Sequence, residues 1–353
     1  MKTLLVTGME ESTGKTAVAL ALALAAKERG IDVGYMKPLG TRLRSAVGKT
    51  RDEDPLLARE LLDGDDSLQE MEPVVYSPTF VEEAIRGRED PEAIRDRISE
   101  AFDDVSENRD LMIVEGGGTL ATGGAIDLTD ADVAELLDAD VVLLSSYDEP
   151  GDVDEVLLAK DLFGDRLAGT LFNTVPDGLQ DKLEGEVAGY LEGQGVPVLG
   201  IVGRDPELAG ISVEELSTEL GAEVLTSEAP TDALVERFQV GAMSAEAALQ
   251  YFRRTTDAAV ITGGDRADVQ TAALQAPGVK CLVLTGGHRP SSSVLGRAEE
   301  EGVPVMLVSA DTLTTVDRAE DVIQAGRTRD EATVRRMKTL LSDHADLDAL
   351  LGE

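Results

Sequence analysis

Lys2-Thr3-Leu4-Leu5-Val6-Thr7 runs into Gly8-Met9-Glu10-Glu11-Ser12-Thr13-Gly14-Lys15-Thr16, and these fifteen residues decide the fold. The first six are a short apolar run rich in strand formers. From Thr16 an apolar-polar helical pattern extends over Ala17 to Arg29 and stops at Gly30. Strand, glycine-bounded loop, Gly-Lys-Thr and helix is the layout of a phosphate-binding loop. Backbone N–H groups converge on an anion, the helix N-terminus adds partial positive charge, and the lysine adds a full one. The hydroxyl after the lysine is placed to ligate the Mg²⁺ of a bound nucleotide. The common loop has four residues between its first glycine and Gly-Lys; this one has five, Met9 to Thr13.

The composition narrows the class. A length of 353 residues suggests two domains, each with a buried core. The 69 acidic residues outweigh 32 basic ones for a net charge of -37, and only nine of the basic residues are lysine. The acids are spread along the chain, as in a protein built for high salt, where screening tames self-repulsion. No basic stripe exists to neutralise phosphates, so nucleic-acid binding is disfavoured. The lone cysteine, Cys281, lies in the strand-like run Lys280 to Leu284. With one cysteine and only two histidines, His288 and His344, neither a disulfide nor a zinc cluster is expected. The longest apolar run, Ala17 to Ala26, is too short to span a bilayer, and no signal peptide precedes the first strand. A cytoplasmic protein with no membrane partner is expected.

Further strands follow the helix. Ile31 to Met36 reads as one, running into Lys37-Pro38, with the lysine at the sheet's carboxyl edge, where open α/β sheets bind ligands. Asp52, Glu53 and Asp54 precede a helical pattern, Pro55 to Leu62; by themselves they read as a helix cap favoured by the macrodipole. Pro91 to Asp103 is an amphipathic helix. Leu111-Met112-Ile113-Val114-Glu115-Gly116-Gly117-Gly118 is a buried strand delivering a carboxylate to the sheet edge, the Walker-B arrangement, followed by glycines that let a ligand approach. Apolar strands at Asp140–Ser145, Leu167–Asn173 and Val196–Val202 alternate with helices, which argues for a parallel sheet covered on both faces.

Near residue 205 the pattern restarts. Ala258 to Arg266 is echoed twenty-three residues on by Cys281 to Arg289, each an apolar strand ending in Thr-Gly-Gly. These turns are either anion sites or tight turns that packing requires. Pro304 to Ser309 reads as a strand and Thr314 to Gln324 as a helix. The division is therefore a nucleotide-binding domain over 1–204, a second α/β domain over 205–329, and a charged helical tail over 330–353 suited to oligomerisation or docking.

The five-residue loop spacing resembles the dethiobiotin synthetase family. So do Tyr35-Met36-Lys37-Pro38, Val114-Glu115-Gly116-Gly117-Gly118 and Phe172-Asn173-Thr174-Val175, in the same order. The resemblance implies ATP and Mg²⁺ as cofactors. It implies a nucleotide cradle of Gly8, Glu11, Ser12, Thr13, Gly14, Lys15 and Thr16, with Asn173 reading adenine. It implies metal ligation by Thr16, Asp54 and Glu115, and catalytic contact of Lys15 and Lys37 with the transferred phosphate. Met9-Glu10-Glu11-Ser12 departs from the family's Thr-Asp-Thr-Glu, so its substrate contacts are not carried over. Val240 to Ser244, Ile261 to Arg266 and Asp311 to Val316 resemble the DRTGG domain. The pairing is similar to the N-terminal regulatory portion of long bacterial phosphate acetyltransferases. On that resemblance a chain ending at Glu353 is not expected to make acetyl phosphate. It is expected to sense nucleotide or metabolite state, to serve an acyl-CoA- or acetate-metabolising enzyme, and to be a homo-oligomer. The competing expectation is an ATP-dependent, carboxylate-activating ligase. A cobyrinate-type amidating enzyme needs a glutaminase cysteine, for which Cys281 is a poor candidate. ParA-type ATPases need an early loop lysine where Met9-Glu10-Glu11 stands.

Overall fold

The structure, a computed structural model, describes every residue except 12, 42, 47, 48, 326–329 and 353, and the backbone alone of 44–46, 49–51, 321 and 323–325. The chain forms two compact units, Met1–Arg204 together with Thr328–Glu353, and Asp205–Arg327. On the sequence boundary at 329/330, residue 329 lies outside those described.

The first unit is built on six parallel strands: β1 (Lys2–Gly8), β2 (Val33–Met36), then, after an antiparallel hairpin of β3 (Leu43–Ala46) and β4 (Lys49–Asp52), β5 (Leu111–Glu115), β6 (Asp140–Ser145), β7 (Leu167–Val175) and β8 (Val198–Gly203). Their spatial order is β8-β7-β6-β1-β5-β2. β5 is buried at all five positions, as a strand covered on both faces must be. Helix α1 (Lys15–Glu28) is buried without a break from Lys15 to Ala26. A helix apolar all round needs cover on every side. Part of that cover is the C-terminal segment. Helix α2 (Asp54–Leu62) and helix α3 (Pro91–Ser106) come earlier in the chain. The segment read from sequence as a charged helical tail suited to oligomerisation or docking folds onto this unit, with Val334, Met337 and Leu341 buried on the helix Glu331–His344, which packs on α1. Lys2 Nζ donates to the Leu350 carbonyl at 3.0 Å, and Lys338 pairs with Glu28. Its i, i+3, i+7 apolar positions are what pack.

The second unit holds a five-stranded sheet in which β10 (Arg237–Val240), β11 (Ala258–Gly263), β12 (Val279–Thr285) and β13 (Val305–Leu307) are parallel, and a short β9 (Glu223–Val224) pairs antiparallel with β13. Alternate residues feed two cores. Val260, Leu282 and Leu284 face one layer of helices, and Ala259, Ile261, Cys281 and Val283 face the other. Burial raises the Cys281 thiol pKa well above its ordinary value, which makes it a packing residue rather than a nucleophile. The repeated Thr-Gly-Gly turns prove to be packing turns. The amides of Gly264, Gly286 and Gly287 are spent on the carbonyls of Thr285, Ala310 and Val308, and a Cβ at Gly264 would land on the His288 carbonyl oxygen. Among the described residues no helix is long and apolar enough to cross a membrane.

Candidate nucleotide and metal site

The parallel sheet brings distant residues to one edge by register. Val6 lies opposite Glu115, Gly8 opposite Leu144 and Met36 opposite Val114. Continuing the last pairing by one residue puts Lys37 beside Glu115. The chain then leaves β1 at Gly8 and enters α1 through Gly14, whose φ of 88° is a conformation glycine adopts without strain. A Cβ at Gly14 would also meet the Asn173 amide at 2.6 Å.

Lys15 Nζ donates to the carbonyls of Glu10 at 2.8 Å and Gly118 at 2.7 Å, tying the loop to the glycines after β5. Burial lowers its pKa, opposed by the charges of Glu115 and Asp130. The Thr16 hydroxyl lies 2.7 Å from Glu115 Oε1 and 3.1 Å from Asp54 Oδ2. Asp54 opens α2, yet its carboxylate points to Thr16 and Lys37, so it is more than a cap. Lys37 is 1% exposed. Its ammonium contacts Asp54, lies 2.8 Å from Asp52 Oδ2 and 3.3 Å from Glu115 Oε1. Burial alone would lower the Lys37 pKa, but Asp54, Glu115 and Asp52 outweigh it and hold it above the ordinary lysine value. Glu115 is raised by burial, against the pull of Lys37. Asp52 is raised by burial and by Asp54.

Buried ion clusters contribute little to folding, because desolvation offsets the attraction. Four ionisable groups in near-total burial at the carboxyl edge of a parallel sheet therefore point to a ligand site. Thr16, Asp54 and Glu115 offer three hard oxygen donors that already converge. That suits Mg²⁺, which takes one or two carboxylates and fills the rest of its octahedron with water and phosphate. Among the described residues no three His, Cys, Asp or Glu side chains surround one metal position by themselves; the third donor is the hydroxyl, and the carboxylates close on Lys37.

Of the other expected residues, Gly8, Thr13 and Gly14 form the loop, and the Thr13 hydroxyl is buried with no partner among the described atoms. Glu11 is exposed and reaches toward Gly118. Ser12 lies outside the described residues. Asn173 is buried beneath the loop, and its amide donates to the Thr13 carbonyl at 2.9 Å, so in this state it braces the loop.

Four residues escaped the sequence reading. The Tyr35 hydroxyl donates to Glu115 Oε2 at 2.6 Å; strand alternation from Lys37 was a usable signal. Asp52 is folded in by the β3–β4 hairpin. Thr7 donates to the buried Asp130, which also accepts from the Gly117 amide at 3.3 Å. Burial pushes the Asp130 pKa up to about 6, opposed by Thr7, Gly117 and Lys15. Nothing local marks Asp130 among the other acids.

Residues 2–212 match the sequence family described as AAA domain, and residues 215–322 the family described as DRTGG domain. The phosphate acetyltransferase of Synechocystis sp. is 24% identical over 366 positions, covering 97% of this chain and 50% of that protein. The ATP-dependent dethiobiotin synthetase of Methanocaldococcus jannaschii is 29% identical over 179 positions, covering 49% of this chain and 79% of that protein. Cobyric acid synthase of Clostridium perfringens is 26% identical over 228 positions, covering 57% and 46%. The chain thus spans about half the length of the phosphate acetyltransferases it matches.

Proposed function

The chain belongs to the AAA-domain family through residues 2–212, and from that membership and the geometry of the loop we propose that its first unit binds ATP as the Mg²⁺ complex. The observation that carries this is the meeting of Lys15, Thr16, Asp54, Glu115 and Lys37 at one sheet edge. Lys15 turns from the Glu10 and Gly118 carbonyls to the phosphates. Thr16, Asp54 and Glu115 hold the metal, which neutralises charge on the phosphate oxygens. Lys37 presents a second fixed cation to the terminal phosphate. The cellular role we assign is regulatory, a nucleotide-responsive protein of acetyl-CoA and acetate metabolism working with an acyl-CoA enzyme, in a cytoplasm of high salt and as a homo-oligomer. Similarity to phosphate acetyltransferases across both units supports it.

Calorimetry in high salt tests the binding. Wild type takes up Mg·ATP, and Lys15→Ala abolishes uptake; a wild type with no nucleotide affinity refutes the reading. A second reading, a carboxylate-activating ligase, is favoured by one observation: Lys37 sits buried against the same carboxylates as Thr16, where it could meet an activated carboxyl group. Diaminopelargonate, bicarbonate and ATP supplied together separate the two. ADP and a cyclised product at about 1 to 10³ per second support the ligase. No turnover, with a co-purifying acyl-CoA enzyme, supports the regulator.

A further inference from the structure

The Lys37 ammonium lies among three carboxylates, and the three are not equivalent. Asp54 and Glu115 both approach the Thr16 hydroxyl, the donor they would share with a metal ion. Asp52 is held differently. Its Oδ2 accepts from the Thr41 amide at 3.0 Å and its Oδ1 from the Asp54 amide at 3.0 Å. Its own amide donates to both oxygens of Glu72 at 3.2 Å. Glu72 is buried, in space left by Gly40, where a Cβ would land on the Glu72 carboxylate. Backbone contacts on both oxygens fix Asp52 in orientation, so it cannot turn to follow an incoming cation.

The charges divide along the same line. Lys37 and Asp52 form a neutral pair. Asp54 and Glu115 share the ammonium with Asp52 and reach the Thr16 hydroxyl as well. While no divalent ion is bound, the ammonium leans on all three carboxylates.

We propose that Asp52 is a positioning residue that keeps Lys37 in the site while Asp54 and Glu115 pass from the lysine to a divalent ion. The inference rests on the Mg-nucleotide reading above. Entry of the metal is then an exchange of cations, and Asp52 sets its equilibrium. Without Asp52 the lysine has only the metal's own ligands to pair with and competes for them.

The test uses the full chain, Mn²⁺ as probe and a non-hydrolysable ATP analogue at saturation. Molar KCl, with a Debye length of about 3 Å, suppresses ion binding to the acidic surface. Bound Mn²⁺ is read by electron paramagnetic resonance. Asp52→Asn is expected to weaken Mn²⁺ at least tenfold, about 1.4 kcal/mol. Adding Lys37→Gln to it is expected to restore Mn²⁺ affinity to about the wild-type value, because the competitor is gone. Asp52→Asn binding like wild type overturns the proposal. So does a double variant as weak as the single one, which would mean that Asp52 only anchors the hairpin. If Asp52→Asn does not fold, Lys37→Gln alone decides. Without nucleotide it should bind Mn²⁺ at least tenfold tighter than wild type, and equal or weaker binding overturns the proposal. A wild type that binds no Mn²⁺ even with the analogue refutes the Mg-nucleotide reading itself, whatever the variants do.

Discussion

Asp130→Asn isolates one buried charge. The Asp130 carboxyl is 1% exposed, hydrogen-bonded by Thr7 and the Gly117 amide, with a pKa pushed up to about 6 from 3.8. A carboxyl with a raised folded-state pKa binds its proton more tightly in the native state. Its contribution to stability is fully present below pH 3.8 and is lost as pH rises through about 6. Two units at 1.36 kcal/mol each make the whole loss about 3 kcal/mol. Asparagine keeps the shape, never ionises and can still accept from Gly117. The wild-type minus variant stability difference should therefore fall by about 2 kcal/mol between pH 4.5 and 7.5, and then level off. Urea unfolding followed by far-UV circular dichroism, on both proteins in the same high-salt buffers, measures it. Taking the difference cancels the titration of the other acids. A difference that stays flat, or that rises with pH, would refute the claim that desolvation dominates over the hydrogen bonds from Thr7 and Gly117.

Two further outcomes test the packing. Leu341→Ala removes a fully buried side chain from the C-terminal helix that packs on α1 and should cost about 2–5 kcal/mol. Thermal unfolding checks it, and no change in the midpoint would mean that the helix is only loosely applied. Gly264→Ala drives a methyl into the His288 carbonyl, a clash with backbone that cannot yield cheaply, and should cost about 1–3 kcal/mol. Hydrogen exchange should place the loss in residues 258–289 with Mg·ATP binding unchanged; a loss of nucleotide affinity instead would contradict the packing role of that turn.

Local sequence determined the parts that depend on neighbours along the chain. Gly8 to Thr16 needs only a strand before it and a helix after it to form a phosphate-binding loop, and Val114-Glu115-Gly116 needs only strand burial to bring its acid to the sheet edge. The same local logic exposed the repeated Thr-Gly-Gly turns but could not say whether their amides were free. Hydrogen bonds to Thr285, Val308 and Ala310 settle that, and those partners are distant in sequence. Asp54 looked like a helix cap because its immediate neighbours make one; its contacts with Thr16 and Lys37 span 38 and 17 residues. Asp52 enters the cluster only because the β3–β4 hairpin returns the chain to Thr41. Asp130 becomes special only when folding removes water from it. The charged C-terminal segment hid an apolar stripe whose partner is the first helix of the chain. Propensity and spacing act over a few residues and were enough to specify the loop. Burial and cross-chain electrostatics exist only once the sheet has closed, and they decided which of the many acids hold Lys37.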